Sequence, residues 1–445
     1  MVAKGLFTFS GGVHPPHRKH YTEDIKVEPC RVPDIVVIPM QQHIGAPCEP
    51  LVKPGDTVKV GQKIGEPKGF VSAPVHSSVS GVVKSIEMYN SPGGGKVLSV
   101  IIQNDGSDTR VEPDIPLNID LLSPAQLKKI VLEAGIVGMG GAAFPTHVKL
   151  SPPADKKIDT VILNGAECEP YLTSDYRLMV ESPEQIISGL KIIMKILGVS
   201  SGIIGIEDNK PKALQSVKAA AAGEQNIKVV SLRTKYPQGA EKQLIYALTK
   251  RMVPSGGLPM DIGVVVNNVG TAAAIHKAVD LGEPLYQRIV TVSGSAVKEP
   301  KNLLVRIGTT FRDVIDFCGG LVEEPAKVIS GGPMMGIAQH TLDVPVVKGT
   351  SGILVLTKKE AELPEPSACI RCGRCVEVCP INLMPLQLSN AALKGILEEA
   401  EALHAMDCIE CGSCSFICPA KRPLVHSIKM VKKEITARRK RSASS

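Results

Sequence analysis

The sequence contains no tryptophan, and aromatic residues make up only 3% of its 445 positions. Proteins that bind single-stranded nucleic acids stack the bases on aromatic side chains, so this shortage argues against a nucleic-acid partner. No apolar run approaches the ~20 residues that a membrane-spanning helix needs. We therefore expect a protein with no transmembrane span and no nucleic-acid partner.

A secretory signal is also missing, because the first six residues, MVAKGL, do not open a charged and then apolar leader. We therefore expect a cytoplasmic protein, in a compartment where disulfides are rare. Of the twelve cysteines, those that lie apart from any cysteine run are expected to be free thiols: Cys30, Cys48, Cys168 and Cys318.

The formal net charge of +7 comes almost entirely from one end of the chain. Residues 429–445 carry seven basic side chains against the single acidic Glu434, a local net charge of +6. Two interpretations of this tail stay open. It is either a basic helix end that adheres to an anionic membrane surface or an acidic subunit, or a disordered solubilising tail. Deleting Lys432–Ser445 and measuring recovery with membranes would test the first interpretation.

Length and composition predict several domains. Single hydrophobic cores rarely grow beyond about 250–300 residues, and this chain has 445 residues with 43% hydrophobic and 21% charged content. Glycine occurs 41 times and proline 34 times, which favours many tight loops and β-rich modules.

Two identical cysteine runs provide the strongest functional signal. Each reads C-x2-C-x2-C-x3-C-P, the spacing typical of ferredoxins with two 4Fe–4S clusters. Three thiolates two residues apart can surround three corners of one cube, and Gly373 and Gly412 leave room for the backbone close to it. In this layout the fourth cysteine ligates the opposite cluster. We therefore predict two ligand sets: Cys369, Cys372, Cys375 and Cys418 for one cluster, and Cys408, Cys411, Cys414 and Cys379 for the other.

The alternatives for these cysteines are a zinc ribbon and a disulfide framework. Zinc ribbons use pairs of C-x2-C rather than four-cysteine runs, and disulfides need an oxidising compartment. The spacing favours iron–sulfur clusters over both. Between the runs, residues 385–406 are mostly helical in pattern, which predicts an α-helical ferredoxin domain.

The first two modules carry few helix signals. Residues 1–32 include the glycine- and proline-rich stretch Gly11–Lys19, which predicts an extended arm. Residues 33–112 show short strands and turns, and the segments Leu51–Ile64 and Val71–Val83 resemble the biotinyl/lipoyl-type barrel-sandwich domain. The turn that holds a modified lysine in carrier domains is short here and lacks the modification motif. We therefore predict a structural module.

Strands and helices alternate over residues 113–286, which predicts a Rossmann-like parallel sheet covered by helices. A helix capped by Ser123 opens this α/β module, and its first strand is expected to end in a turn at Asn164–Gly165. Residues 287–360 turn strand-rich again and resemble the small β-grasp (SLBB-like) module of flavin-bearing redox subunits. The sequence thus predicts a multidomain α/β protein, which ends with the cluster domain and the basic tail over residues 361–428 and 429–445.

A second candidate site lies in the glycine-rich segment Gly138–Lys149. Its glycines can be matched to the dinucleotide-binding fingerprint, but that fingerprint must follow a strand, and here it follows a helix. We therefore expect a loop whose bare backbone approaches a phosphate or ring, with Lys149 placed to pair with phosphate charge. The segment Asn164–Pro170 follows at the carboxyl end of a strand, where open α/β sheets bind ligands. Taken separately, such loops are also common as ordinary turns.

Four segments match, in order, the FMN- and NADH-binding segments of the flavoprotein subunit of respiratory complex I: Gly138–Lys149, Asn164–Pro170, Tyr236–Glu241 and Asn267–Thr271. Together with the arm, the barrel-sandwich module and the paired cluster motifs, they resemble the RnfC family, which belongs to the ion-translocating Rnf complexes. The resemblance covers nearly the whole chain.

This resemblance implies which residues bind the nucleotides. Around the phosphate and ring of FMN it places Gly138, Gly140, Gly141 and Lys149. Further flavin contacts are implied for Asn164, Glu167, Tyr236, Glu241, Asn267, Asn268 and Thr271. The residues implied to face NAD(H) are Phe144 and Glu169. The chain departs from the complex I pattern at Ala166, Ala240 and Met139, where two acidic residues and an arginine are usual.

The resemblance also implies a function, that of a peripheral subunit of a ferredoxin:NAD+ oxidoreductase at the cytoplasmic face of the bacterial cell membrane. NAD(H) exchanges two electrons as hydride and a cluster passes one, so a flavin must lie between them. The implied partners are the membrane subunits of the Rnf complex and a ferredoxin-like iron–sulfur subunit, through which ferredoxin is reached. No catalytic acid or base is expected.

Two other functions stay open. A diaphorase subunit of a soluble hydrogenase or formate dehydrogenase would use the same cofactors, although the arm and the barrel-sandwich module favour the Rnf family. An electron-transfer scaffold that has lost its flavin would keep only the clusters, and its support is the three departures at Ala166, Ala240 and Met139.

Overall fold

The computed structural model describes residues 7–113, 115 and 119–444. The first six residues, on which the expectation about a secretory signal rests, and Ser445 of the predicted tail lie outside the described residues. Within them the chain forms four sheets and a helical cluster domain.

The arm runs along two other modules rather than extending into solvent. Phe7 and Val13 form β-bridges with Leu232 and Tyr236 of the α/β module. A short 3-10 turn follows at Lys19–Tyr21, and strand β1, Val27–Pro29, pairs in parallel with residues 302–304 of the β-grasp module. The arm is therefore part of the fold.

Two antiparallel sheets form the barrel-sandwich module. Its strands are β2 Ile35–Pro39, β3 Cys48–Pro50, β4 Thr57–Val58, β5 Lys63–Pro67, β6 Val75–His76, β7 Gly81–Asn90 and β8 Lys96–Asn104. One sheet has the order β2-β8-β7-β4 and the other β3-β5-β6. Alternate residues of a strand point to the same face, so the apolar set is fully buried in one core: Val36, Ile38, Ile64 and Val100.

The α/β module is a parallel sheet covered by helices. Its elements are α1 Pro124–Glu133, α2 Thr146–Lys149, β9 Thr160–Gly165, α3 Ser174–Glu181, α4 Pro183–Leu197, β10 Gly202–Glu207, α5 Pro211–Ala220, β11 Ile227–Leu232, α6 Glu241–Thr249, β12 Val264–Asn268 and α7 Val269–Asp280, with 3-10 turns at Ile119–Leu121 and Pro259–Ile262. The strand order is β11-β10-β9-β12, and all neighbours are parallel. Leu190 of α4 and Ile275 of α7 belong to one core, and Leu244 of α6 belongs to another.

Two local predictions for this module had different outcomes. The predicted helix is α1, and Ser123 and Gln126 form the reciprocal hydrogen bonds of a capping box. The turn predicted at Asn164–Gly165 was wrong, because these residues end β9, where Asn164 pairs with Gly205 and Asn268 of the neighbouring strands. An Asn–Gly pair indicates a turn between antiparallel strands, and both neighbours here are parallel.

The β-grasp module is a mixed sheet. Its elements are β13 Gln287–Ser293, β14 Lys301–Arg306, α8 Phe311–Phe317, β15 Lys327–Ser330, β16 Ile337–Gln339 and β17 Gly352–Leu356. The strand order is β1-β14-β13-β17-β15-β16. Phe311 and Ile315 of α8 are buried in its core with Val292 and Val355. Because β1 comes from the arm, the arm supplies the edge strand of this sheet.

The cluster domain is helical. Its elements are α9 Lys358–Ala361, α10 Arg374–Glu377, α11 Pro385–Lys394, α12 Leu397–Ala402, α13 Ser413–Ile417 and α14 Leu424–Ser444, with a 3-10 turn at Ala405–Asp407. Across residues 7–113, 115 and 119–444, no helix combines the length and apolar character needed to cross a bilayer.

Helix α14 continues through the predicted tail, so the interpretation of a disordered tail was wrong. Its apolar residues recur every three or four positions, which places one face in the core of the cluster domain: Leu424, Ile428, Val431 and Ile435. Deleting residues 432–445 would remove Ile435 as well as charge. That deletion therefore does not isolate adhesion to a membrane.

Acidic side chains of the same domain pair with several basic residues of α14. Lys432 forms a 2.6 Å ion pair with Glu410, and Arg439 forms a 2.9 Å pair with Glu401. Arg438 also pairs with Glu401. Part of the tail's charge is thus used within the chain, although exposed ion pairs contribute only about 0–1 kcal/mol each.

We predict that Ile435→Ala lowers the unfolding free energy of the cluster domain by about 2–5 kcal/mol, because it opens a cavity at a fully buried position. Met430→Ala on the same helix is the matched control, since its side chain is 50% exposed. It should stay within about 0.5 kcal/mol of the parent. Urea unfolding followed by circular dichroism measures both. Equal effects would contradict the burial of α14.

Candidate functional site

The first candidate site lies at the carboxyl ends of β9 and β12, where the glycine-rich segment folds back on itself. A 2.8 Å hydrogen bond from Gly138 N to Phe144 O closes this loop. The loop is tied to α7, because Met139 N donates to Thr271 Oγ1 over 2.9 Å. The Phe144 side chain is half-buried at the end of the loop. The loop and the start of α7 therefore form one wall of the site.

Two glycines leave this wall open at the backbone. Gly140 and Gly141 are exposed, and Gly141 has a φ of +126°, which residues with a side chain rarely adopt. A Cβ at Gly140 would lie 3.4 Å from the Cβ of Asn268. The segment thus presents bare backbone beside the end of β12, as the sequence predicts.

Lys149 reaches the same edge of the sheet from the end of α2. Its ammonium donates to Glu241 Oε1 over 2.9 Å and to Val266 O over 3.1 Å. Asn164 Nδ2, at the end of β9, donates to Gly239 O over 2.8 Å. The structure therefore brings the four predicted nucleotide segments together at one edge.

The side chain of Asn267 has a donor that the protein leaves unused. Only 4% of its surface is exposed, yet its Nδ2 has no hydrogen-bond partner among the described residues. An unsatisfied buried donor costs about 1–3 kcal/mol. Asn268 differs, because its Oδ1 caps α7 at Gly270 N and its Nδ2 donates to Asp175, each over 2.7 Å. Asn267 therefore fits a ligand that supplies an acceptor.

Glu167 uses its carboxylate to cap α3. It accepts hydrogen bonds from Asp175 N over 2.7 Å and from Tyr176 N over 3.1 Å. Burial raises the pKa of the Glu167 carboxyl, and the nearby Lys19 ammonium opposes that rise. A carboxylate at a helix N-terminus is favoured by the helix dipole. The structure thus gives Glu167 a partner set inside the protein.

Glu169 connects the α/β module to a loop of the β-grasp module. Its two carboxylate oxygens accept from Met334 N over 3.0 Å and from Met335 N over 2.8 Å. Burial raises the pKa of this carboxyl to about 7, and the two amide hydrogen bonds act against that rise. A Cβ at Gly332 would lie 2.3 Å from the carboxylate. Only glycine therefore fits there.

Tyr236 joins the first site to the cluster domain. Its side chain is 1% exposed, and its hydroxyl donates to Cys411 O over 2.8 Å. Nearby, Gln243 Nε2 donates to Pro380 O over 3.1 Å. The α/β module therefore touches both cysteine runs, one through Cys411 and the other through Pro380.

The second candidate site is a cavity of about 370 Å³ in the cluster domain. Its lining includes cysteines of both runs, which are one of the two predicted ligand sets: Cys379, Cys408, Cys411 and Cys414. Backbone amides point at the sulfurs, with Glu410 N 3.4 Å from Cys408 Sγ and Leu383 N 3.3 Å from Cys379 Sγ. Such hydrogen bonds stabilise sulfur-bound negative charge in iron–sulfur sites.

The other predicted ligand set lies at the surface. Cys369 and Cys372 are exposed, and Cys375 and Cys418 are half-buried. Burial raises the pKa of the Cys375 thiol, and the nearby Cys418 raises it further. The fourth cysteine of the second run therefore lies close to the first run. Residues 362–373 beside this set are exposed and form neither helix nor strand.

The geometry disagrees with both alternatives for the cysteines. All twelve are free thiols, which excludes the disulfide framework. A zinc ion needs ligands about 2.0–2.3 Å from one centre, and no three Cys, His, Asp or Glu side chains of the described residues converge in that way. A cavity ringed by four cysteines suits a larger inorganic group.

Three contributors to the first site were not predicted: Lys19 of the arm, Asp175 of α3, and the loop Gly331–Gly336. Only the loop carries a sequence signal, since three of its six residues are glycine. The other two are single polar residues whose partners lie far along the chain. Local patterns do not reveal such contacts.

Four segments of the chain match known protein families. Residues 7–107 match the RnfC barrel sandwich hybrid domain, and residues 131–277 match the Nuo51 FMN-binding domain. Residues 289–338 match the SLBB domain, and residues 368–421 match the 4Fe-4S dicluster domain. These matches confirm the predicted multidomain α/β organisation and identify FMN and two 4Fe–4S clusters as cofactors.

Close relatives extend over nearly the whole chain, and each is the C-type component of a redox complex. The chain is 55% identical over 436 residues to that of the Na(+)-translocating ferredoxin:NAD(+) oxidoreductase complex of Acetobacterium woodii, with 98% of each chain covered. It is 56% identical over 397 residues to that of the proton-translocating ferredoxin:NAD(+) oxidoreductase complex of Clostridium ljungdahlii, with 89% of this chain and 86% of that one covered. The corresponding component of the ion-translocating oxidoreductase complex of Rhodobacter capsulatus is 44% identical over 439 residues, with 98% and 84% covered. The chain therefore belongs to the RnfC family of ion-translocating ferredoxin:NAD+ oxidoreductase (Rnf) complexes.

Proposed function

We propose that the chain is the peripheral NAD(H)-, FMN- and iron–sulfur-binding subunit of an ion-translocating ferredoxin:NAD+ oxidoreductase at the cytoplasmic face of the bacterial cell membrane. The observation that carries the proposal is the 2.8 Å hydrogen bond from Tyr236 of the α/β module to Cys411 of the cluster domain. Family membership supplies the partners. They are the membrane subunits of the complex and a ferredoxin-like iron–sulfur subunit through which ferredoxin is reached.

The residues at the sheet edge fit a flavin mononucleotide. Gly140 and Gly141 leave backbone amides open to a ring or phosphate, and Lys149 brings a cation for phosphate charge. Asn267 brings a buried donor without a protein acceptor. When bound, FMN exchanges hydride with NAD(H) and single electrons with 4Fe–4S clusters. The remaining proposed flavin contacts at this edge are Gly138, Asn164, Glu241, Asn268 and Thr271.

Glu167, Glu169 and Tyr236 support this site from behind, because their polar groups are engaged within the protein. Glu167 caps α3, Glu169 holds the Met334–Met335 amides, and Tyr236 holds Cys411. We propose that they orient the walls of the site, with Phe144 and the loop held by Glu169 on the NAD(H) side. The chain then binds and positions its cofactors without a catalytic acid or base.

We assign the two clusters to the two predicted cysteine sets. The set of Cys379, Cys408, Cys411 and Cys414 lines a cavity next to the α/β module. The set of Cys369, Cys372, Cys375 and Cys418 lies at the surface beside exposed residues 362–373. One cluster site therefore adjoins the proposed flavin site, and the other is accessible to a partner protein.

The two alternative functions have less support. The departures that favour a flavin-free scaffold include Ala166 and Met139, whose side chains are buried and do not face an open site. The unused Asn267 donor favours a bound ligand. A diaphorase of a soluble enzyme fits less well than an Rnf component, since the relative from Acetobacterium woodii matches 98% of the chain, including the arm and the barrel-sandwich module.

We predict that Asn267→Ala raises the Kd for FMN about three- to tenfold, because it removes one hydrogen-bond donor to the ligand. It should not lower the stability of the flavin-free protein, since no protein partner is lost. Gln42→Ala is the matched control: Gln42 is also 4% exposed, but it bonds Pro39 O and Lys348 N.

Gln42→Ala should therefore lower the melting temperature and leave the FMN affinity unchanged. Quenching of flavin fluorescence measures affinity, and thermal unfolding measures stability. The assignment of Asn267 fails if its substitution destabilises the flavin-free protein and does not change the Kd.

We also predict that Cys372→Ala and Cys411→Ala separate the two cluster sites. With FMN supplied, NADH should still generate the EPR signal of one reduced cluster in Cys372→Ala, because the buried site next to the α/β module is intact. In Cys411→Ala, NADH should reduce the remaining cluster far more slowly than dithionite does. Rapid NADH reduction in Cys411→Ala would contradict the proposed arrangement.

A further inference from the structure

Lys19 is a buried lysine of the arm, with only 6% of its surface exposed. Its ammonium donates to three backbone carbonyl oxygens, those of Glu167 over 2.9 Å, Glu169 over 3.0 Å and Leu172 over 2.5 Å. An ammonium has three donors, so one short segment of the α/β module satisfies all of them. Burying a charge is costly unless it is paired in this way. The contact is therefore a specific feature of the fold.

The segment that Lys19 holds, residues 167–172, has an irregular backbone. Glu167 and Tyr171 have φ values of +45° and +67°, which cost energy in residues other than glycine. Tyr171 N donates to His17 O over 2.9 Å, so the arm also contacts the segment through its backbone. Carbonyl groups that converge on one point repel one another. The positive charge of Lys19 makes this convergence favourable.

This segment leads directly to the glycine loop. The Glu167 carboxylate caps α3 at Asp175 N over 2.7 Å. The Asp175 side chain in turn accepts a 2.7 Å hydrogen bond from Asn268 Nδ2. Asn268 lies next to Gly140. A continuous set of contacts therefore runs from the Lys19 ammonium to the wall of the proposed flavin site.

We propose that Lys19 is a positioning residue for the flavin site, whose ammonium holds residues 167–172 so that Glu167 and Asp175 fix Asn268 beside the glycine loop. This inference rests on the proposed function, because it takes that edge of the sheet as the flavin site. Lys19 acts through the segment rather than on the flavin. It follows that the arm is needed for flavin affinity, although it lies outside residues 131–277, which match the FMN-binding family.

Lys19→Met tests the inference in the full chain, because methionine is also long and unbranched but has no N–H donor. The protein is purified with its clusters, freed of flavin and titrated with FMN. We expect the Kd for FMN to rise about tenfold or more, as the loss of charge-assisted hydrogen bonds implies. Iron content and the EPR signals of the dithionite-reduced clusters should remain those of the parent.

Two further variants separate positioning from general loosening of the arm. Lys19→Arg keeps the charge and several donors, and it should recover part of the lost affinity. Lys212→Met removes a 2.7 Å ion pair with Asp24 of the arm at the exposed surface, away from the segment. It should leave the Kd unchanged.

An unchanged Kd in Lys19→Met would overturn the inference. So would a loss of affinity accompanied by loss of iron, or an equal loss in Lys212→Met, because the effect would then belong to the fold or to the arm as a whole. Failure of the parent protein to bind FMN is a different result. It would contradict the proposed flavin site itself.

Discussion

Backbone carbonyl groups at the junctions between modules need hydrogen-bond donors once those junctions are buried. In this chain, buried lysine ammonium groups supply many of them. Lys348 of the β-grasp module donates to Pro74 O over 2.6 Å and to Gly135 O over 2.7 Å, and so joins three modules at one point. Lys235 binds Phe9 O of the arm over 2.7 Å. Burial lowers the pKa of Lys348 to about 7, which shows that the charge is held at a cost.

These junctions matter because the proposed chemistry depends on position. Electron exchange between a flavin and clusters needs cofactors held at fixed separations, and the protein contributes binding and orientation rather than proton transfer. Tyr236 fixes the α/β module against Cys411, and Glu169 fixes it against the loop of the β-grasp module. Rigid contacts between modules therefore take the place that catalytic side chains have in other enzymes.

The sequence predicts the parts of this arrangement that depend on short spacings. The cysteine runs, the capping box at Ser123 and the strand–helix alternation are all local, and the structure follows them. The partners of Lys19 lie 148 and 150 positions away, and those of Glu169 lie 165 and 166 positions away, so no local pattern encodes them. The Asn164–Gly165 turn was predicted wrongly because neighbouring parallel strands override a local preference. The tail was ambiguous because its charge drew attention away from the apolar spacing that continues to Ile435.

The central claim is that one chain holds a flavin between NAD(H) and two iron–sulfur clusters. An anaerobic NADH titration of the purified protein, supplied with FMN and followed by absorbance and EPR, tests it most directly. The account predicts that NADH bleaches the flavin band and that signals of reduced clusters then appear. If dithionite reduces the clusters while NADH changes neither the flavin nor the cluster signals with FMN present, the flavin site is wrongly assigned.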